Sequence, residues 1–371
     1  MKDQMALLQE MAALPREVLG AMEQEMAQYH YLTLRPTAFA DYAAFQAYGE
    51  IPFHGNRAMM MGMPASEGVP KLTADLKTAR EGLVTVCEPE DVCWYIWDDA
   101  MPQEENAEQY SYRGCADNPG FKPFLLPYLL EDPSKARGNI ICIAGGGFDQ
   151  RANLGEGYPV ARYWRDLGYN AYVLQRRVKP FRPEDSMLDL QRAIRYLRHY
   201  GLKRNIGGLD CIVAIGFSGG SGTMLGTAFR YYGHILPNAE YPAYVPDEID
   251  RENSDLDIVI SHYGPSFELL PGGFGSNYHT ENPNLPAMFM AGGEKDFLNV
   301  ALPYLDLYRF LFGKTTVELH LYADADHGYA MGDTFAESEY HNEHQNTGTW
   351  MALADAFIRL QMEKKARKVV S

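Results

Sequence analysis

Ser218 sits in Ala214-Ile215-Gly216-Phe217-Ser218-Gly219-Gly220-Ser221-Gly222, a G-x-S-x-G pattern that follows an apolar run and precedes helix-forming residues up to Tyr231. That context, strand then sharp turn then helix, is what gives five matching letters chemical meaning. The turn lifts the serine Oγ above the sheet, and Gly216 and Gly220 remove side chains that would collide beneath it. The first amide of the following helix, Gly219 N–H, points where a developing oxyanion would form. A glycine-rich loop that merely caps the helix with Ser218, Ser221 or Thr223 is the competing account of the same letters.

A serine hydroxyl is protonated at neutral pH and needs a base within hydrogen-bond reach. Histidine suits that role because its ordinary pKa lies near working pH. Of the ten histidines, His327 in Ala323-Asp324-Ala325-Asp326-His327-Gly328-Tyr329 is the candidate, because its loop directly follows the last strand-like run. His54, His199, His234, His262 and His279 all precede the acid candidate in the chain. A third group must fix the imidazole tautomer and stabilise its charged form. Gly292-Gly293-Glu294-Lys295-Asp296 closes the preceding strand-like run, with Asp296 the choice and Glu294 the reserve. Asp296 as a simple helix cap is the alternative. Asp324 and Asp326, on the same turn as His327, are poorly placed to meet its Nδ1. The order Ser218, Asp296, His327 is nucleophile, acid, base, and the last two are 31 residues apart, room for one helix and one strand.

An oxyanion needs a further donor. Ala144-Gly145-Gly146-Gly147-Phe148 follows a buried strand, and backbone amides unshielded by side chains can approach a substrate oxygen there. A dinucleotide-binding G-x-G-x-x-G is incomplete, since position 150 is Gln150, so an oxyanion loop of Gly145, Gly146 and Gly147 together with Gly219 is preferred.

The elements that must hold these residues alternate in type. Strand-like runs occur at Leu83–Cys87, Val92–Trp97 and Phe124–Leu130, an antiparallel start, and then at 139–144, 170–174, 211–215, 256–260, 287–291 and 317–322. Helical spacing marks Tyr158–Leu167, the segment begun by Pro183 with Met187, Leu190, Ile194 and Leu197 on one face, Leu302–Phe312, and a closing helix showing Trp350, Leu353, Phe357 and Leu360. Such alternation predicts an α/β protein with a mostly parallel central sheet and helices on both faces, whose ligands sit at the carboxyl ends of the strands. Every candidate residue falls at such an end. Residues 1–80, with two short amphipathic helices in 5–30 and the run Met59-Met60-Met61-Gly62-Met63, form a helical or irregular N-terminal extension or cap. The catalytic domain is expected over 81–371. Residues 233–285, rich in Pro, Tyr, Gly and Asn, look like an insertion near the site, ahead of the acid-bearing strand.

Bulk properties narrow the partners. A net charge of −16 disfavours nucleic acid and anionic membranes. No run of about 18 apolar residues spans a bilayer, and the first ten residues are too polar for a signal-peptide core, so a cytoplasmic protein is expected. Five cysteines, Cys87, Cys93, Cys115, Cys142 and Cys211, lack metal-site spacing and read as packed thiols. His341 and His344 have no evident third ligand, so no metal and no organic cofactor are expected. The tail of Lys364, Lys365, Arg367 and Lys368 reads as a solvated helix end. A small-molecule ester is the expected partner, with a homo-oligomer left open.

From about Asn139 to His327, half the chain, the sequence resembles α/β-hydrolases of the esterase and lipase kind. It is most similar to bacterial carboxylesterases that include acetyl-xylan-esterase-like and feruloyl-esterase-like enzymes and to relatives of hormone-sensitive lipase. Four stretches carry the resemblance: Ala144–Phe148 for the oxyanion loop, Gly216–Gly220 for the elbow, Gly293–Asp296 for the acid loop, and His327-Gly328. Asp189–Arg195 also matches the helix before the elbow. The sequence departs at Ala144, where His or Pro is usual, and at Gly219, where Ala is usual. The resemblance implies hydrolysis of carboxylic esters through an acyl-enzyme, by Ser218, His327 and Asp296. Peptidase or other chemistry with the same three residues, and a catalytically silent binding scaffold, are the alternatives.

Overall fold

The computed structural model describes residues 94–98, 100–103, 121–148, 151–178, 181–264, 279–296, 298–332 and 346–370. The expected helices in 5–30, the methionine run, the strand at 83–87 and the His341/His344 pair lie outside the described residues.

The described residues form an eight-stranded sheet: β1 (Trp94–Tyr95), β2 (Phe124–Tyr128), β3 (Asn139–Ile143), β4 (Asn170–Gln175), β5 (Ile212–Phe217), β6 (Ile258–His262), β7 (Ala287–Gly293) and β8 (Val317–Tyr322). Their order is β1-β2-β4-β3-β5-β6-β7-β8, with β2 antiparallel to both neighbours and β3 to β8 parallel. Strands β2 to β6 are buried at every position, which is why their sequences are continuous apolar runs rather than alternating ones.

Among the described residues, six α-helices flank the sheet: α1 (Asn153–Glu156), α2 (Tyr158–Asp166), α3 (Pro183–Tyr200), α4 (Gly219–Arg230), α5 (Ala301–Leu311) and α6 (Trp350–Val370). Helix α2 meets α6 on one face through Trp164 and Trp350, whose ring centroids are 6.4 Å apart. On the other, α4 packs against α3 and β5, and Phe229 of α4 meets Phe310 of α5 at 6.1 Å. The one helix not anticipated, α1, is a single turn behind the glycine loop. Pro183 starts α3 at a position where its missing N–H is not needed, and the Asp185 carboxylate accepts from Arg182 N at 2.9 Å.

One expectation needs correction. Lys365 is not simply solvated: its ammonium donates to the Asp210 carbonyl at 2.6 Å and pairs with Asp257, tying α6 to the segments entering β5 and β6. The register places Gly216 opposite Ile143 on one side and Ser261 on the other, so the β5 carboxyl end lies between the ends of β3 and β6. Cys142 and Cys211 are buried free thiols, as expected, and burial pushes the Cys211 thiol up to about 12. Among the described residues, no helix is long and apolar enough to cross a membrane.

Candidate active site

The turn after β5 puts Ser218 at φ 48°, ψ −120°, a left-handed conformation costly for a residue with a Cβ. It is held by its neighbours. Ser218 N donates to the His262 carbonyl at 3.0 Å, and its own carbonyl takes Gly222 N at 3.2 Å. A Cβ on Gly216 would come within 2.7 Å of the Gly220 oxygen and the Ser221 nitrogen, so the tight turn requires glycine there.

His327, on the loop after β8, spans the gap between nucleophile and acid. Its Nε2 is 2.9 Å from Ser218 Oγ and its Nδ1 is 2.8 Å from Asp296 Oδ2. The acid side chain is fully buried and the imidazole only 12% exposed, so the Nδ1 contact is sheltered from competing water. The other Asp296 oxygen accepts from Leu298 N at 2.8 Å, which fixes the carboxylate in its turn; Val300, not Asp296, caps α5. Glu294 instead accepts from the Asp324 amide at 3.1 Å and does not approach the imidazole. Asp326 accepts from the His327 backbone at 2.7 Å, and Asp324 pairs with Lys295, so both shape the loop rather than orient the ring.

The glycine loop lies directly against the elbow. A Cβ on Gly145 would be 2.8 Å from the Ser218 Cβ, and one on Gly219 would overlap the Gly147 carbonyl. The four expected amides are not equivalent. Gly145 N–H already donates to Glu156 Oε2 at 2.6 Å, whereas Gly146 (φ 97°) and Gly147 (φ 62°) turn in left-handed backbone beside Ser218. Arg176, buried, braces this loop from behind by donating from Nη2 to the Ala144 carbonyl at 3.2 Å and the Gly147 carbonyl at 2.9 Å.

Three site-supporting residues carried no signal in the sequence: Glu156, Arg176 and Tyr263. Glu156 and Tyr263 are joined at 2.7 Å across 107 residues of chain, a separation no periodicity encodes. Among the described residues, no group of three or more His, Cys, Asp or Glu side chains gathers as for a metal ion.

None of the remaining described histidines is hydrogen-bonded to the Ser218 hydroxyl. His262 at the end of β6 is the informative one: it is fully buried, with its ring 5.0 Å from Phe217 and 4.0 Å from Trp350. Burial pushes it down to about 3, with the His320 charge adding to the effect. Its folded pKa lies below the unfolded value, so the neutral ring contributes stability that is complete above about pH 6.5 and declines as pH falls towards 3. In that window the loss approaches about 1.4 kcal/mol per pH unit. Urea midpoints at pH 7 and pH 5 test this: the wild type is expected to lose more on acidification than His262→Phe, and equal losses would assign the effect to other groups.

No protein-family model matches the chain. An acetylxylan esterase of Xylanibacter ruminicola is 23% identical over 258 residues, covering 67% of this chain and 51% of that protein. The chain therefore spans about half the length of that relative. An acetyl ester-xyloside bifunctional hydrolase from Caldicellulosiruptor lactoaceticus superimposes with a TM-score of 0.53 at 22% identity, covering 72% of this chain and 95% of the other. An alpha/beta hydrolase enzyme from a Medee basin deep-sea metagenome library gives 0.51 at 20% identity, over 65% and 93% of the two chains. The fold is that of the α/β-hydrolases. A carboxylesterase from Lactobacillus plantarum shares it, with a TM-score of 0.51 at 16% identity over 65% and 94%.

Within this α/β-hydrolase fold the two departures from the esterase pattern acquire a physical meaning. Gly219 stands where alanine is usual, and here the Gly147 carbonyl occupies the space an alanine methyl would need. Ala144 contributes only its carbonyl, which Arg176 holds.

Proposed function

We propose that this chain hydrolyses carboxylic esters through an acyl-enzyme, with Ser218 as nucleophile, His327 as general base and acid, and Asp296 as the group that orients His327. One observation carries the reading: a single imidazole within hydrogen-bond distance of a strained serine hydroxyl on one nitrogen and a buried carboxylate on the other. Ser218 Oγ attacks the ester carbonyl carbon while its proton passes to His327 Nε2. The carbonyl electron pair moves onto oxygen, where the amides of Gly219 and of Gly146 or Gly147 meet it; the Gly145 amide is engaged by Glu156 and serves the loop instead. Collapse breaks the bond to the alcohol oxygen, which takes the proton from Nε2. Water then repeats the sequence on the acyl-serine and releases the acid. Asp296 stays ionised throughout, accepting the Nδ1 proton's hydrogen bond.

In this reading residues 81–371 make up the catalytic domain, residues 1–80 an extension, and 233–285 an insertion beside the site. Tyr263 and Gly264 support the last assignment, since a Cβ on Gly264 would lie 2.6 Å from the Ser218 Cα. The acetyl-ester names of the relative and of one structural neighbour support acetylated xylose-based carbohydrate as the first natural substrate to test. Wild-type protein is expected to hydrolyse p-nitrophenyl acetate, butyrate or octanoate and to release acetate from acetylated xylan or feruloyl groups from a feruloyl ester. Protein inert on every ester, and unlabelled at Ser218 by a fluorophosphonate, would be a silent scaffold.

A further inference from the structure

Glu156 sits at the end of α1, fully buried, with both carboxylate oxygens in use. Oε2 accepts from Gly145 N at 2.6 Å and Oε1 accepts from the Tyr263 hydroxyl at 2.7 Å. The same hydroxyl oxygen accepts from Ala330 N at 3.1 Å, so the tyrosine proton is free to point only at Glu156. The chain of donors thus runs one way: Ala330 N–H to Tyr263, Tyr263 O–H to Glu156, and Gly145 N–H to Glu156. Both ends of this chain are loops of the site. Gly145 belongs to the glycine loop that touches Ser218, and Ala330 is three residues beyond His327. Tyr263 itself is held at φ 33°, with its ring edge-on to the imidazole at 4.9 Å between centroids.

We propose that Glu156 is a positioning residue of this site: its buried carboxylate clamps the Gly145 amide and, through the Tyr263 hydroxyl, the Ala330 amide, holding the oxyanion-side loop and the histidine loop in register against Ser218. The inference rests on the ester-hydrolase reading above. A carboxylate is required because both partners donate. Glutamine offers one acceptor oxygen and presents an NH2 to the other donor, so it can satisfy one loop but not both. The clamp acts where charge develops rather than where substrate first binds, so its loss falls on turnover.

The test compares wild type, Glu156→Gln, Tyr263→Phe and the double variant by kcat and KM on p-nitrophenyl acetate, by the Ki of butylboronic acid, which mimics the tetrahedral intermediate on Ser218, and by Tm. The expected result is kcat reduced about 10- to 100-fold in each single variant, as for misplacement of roughly 1 Å, with KM little changed. The boronate Ki rises in parallel, and the double variant is no worse than the more damaged single one, because both cut one network. Should Glu156→Gln fail to fold, Tyr263→Phe, which keeps the ring against His327, decides the question by the same readouts. An active wild type whose folded variants keep kcat and boronate affinity, whatever their Tm, overturns the clamp and leaves the hydrolase reading standing. An inert wild type that does not label overturns both.

Discussion

Ser218→Ala and His327→Ala are each expected to lower kcat on p-nitrophenyl acetate by roughly three orders of magnitude or more, with KM changed far less. The reason is that the imidazole is 2.9 Å from Oγ and has no role without the hydroxyl, nor the hydroxyl without it. The two losses should therefore not add: the double variant is expected to match the singles. Asp296→Asn should cost about as much, up to roughly 10⁴-fold, because an amide facing His327 Nδ1 at 2.8 Å can favour the tautomer that leaves Nε2 protonated and unable to accept. A Ser218→Ala protein that retains more than a tenth of wild-type kcat would remove Ser218 from the mechanism.

The largest expected effect on stability lies on the far side of the elbow helix. Asp189, buried on α3, accepts from Arg177 Nη2 at 2.8 Å, from the Arg177 backbone at 2.7 Å and from Trp97 Nε1 at 2.7 Å. Arg177 in turn donates to the Pro102 carbonyl at 2.7 Å, and Arg192 donates to the Ile96 carbonyl at 2.7 Å. Together these contacts hold the segment around β1 onto α3. Asp189→Ala leaves a buried guanidinium short of its main counter-charge, with only Asp185 nearby at 3.6 Å. The expected cost is about 3–5 kcal/mol, read as a fall in the urea midpoint. Replacement of Asp189 by asparagine keeps the shape and part of the hydrogen bonding, so its loss should be smaller. Equal and negligible losses in both variants would show that the ion pair contributes no net stability.

The same contacts separate what was legible in the sequence from what was not. Buried parallel strands are short apolar runs and their flanking helices carry a repeating apolar face, so the strand-like runs legible in the sequence coincide within a few residues with β3 to β8, and the helical stretches fall on α2 to α6. Turn chemistry is equally local. A serine between glycines at a strand-to-helix turn, and an acid and a histidine after the last two strands, mark the three residues that the structure joins through His327, 2.8 Å from Asp296 and 2.9 Å from Ser218. The resemblance to esterases added the fold by name, and the solved structures bear it out.

What stayed hidden depends on the approach of segments far apart in sequence. Gly145 looked equivalent to Gly146 and Gly147 until the position of Glu156 showed its amide to be taken. Glu156 itself is one acidic residue in a glycine-rich stretch, and its partner Tyr263 is one of twenty-five tyrosines. Asp189 fits a helix face as well as any polar residue until Trp97, brought in from 92 positions away, is seen against it. Residue type and spacing determined the elements, the sheet they would form and the reactive residues, because periodicity and turn geometry act over a few residues. Which buried polar groups meet, and so which loops are held in place around Ser218, was decided only by the tertiary structure, because a hydrogen bond needs its partners placed to within a few tenths of an ångström, and the separation of two chain segments in sequence carries no such information.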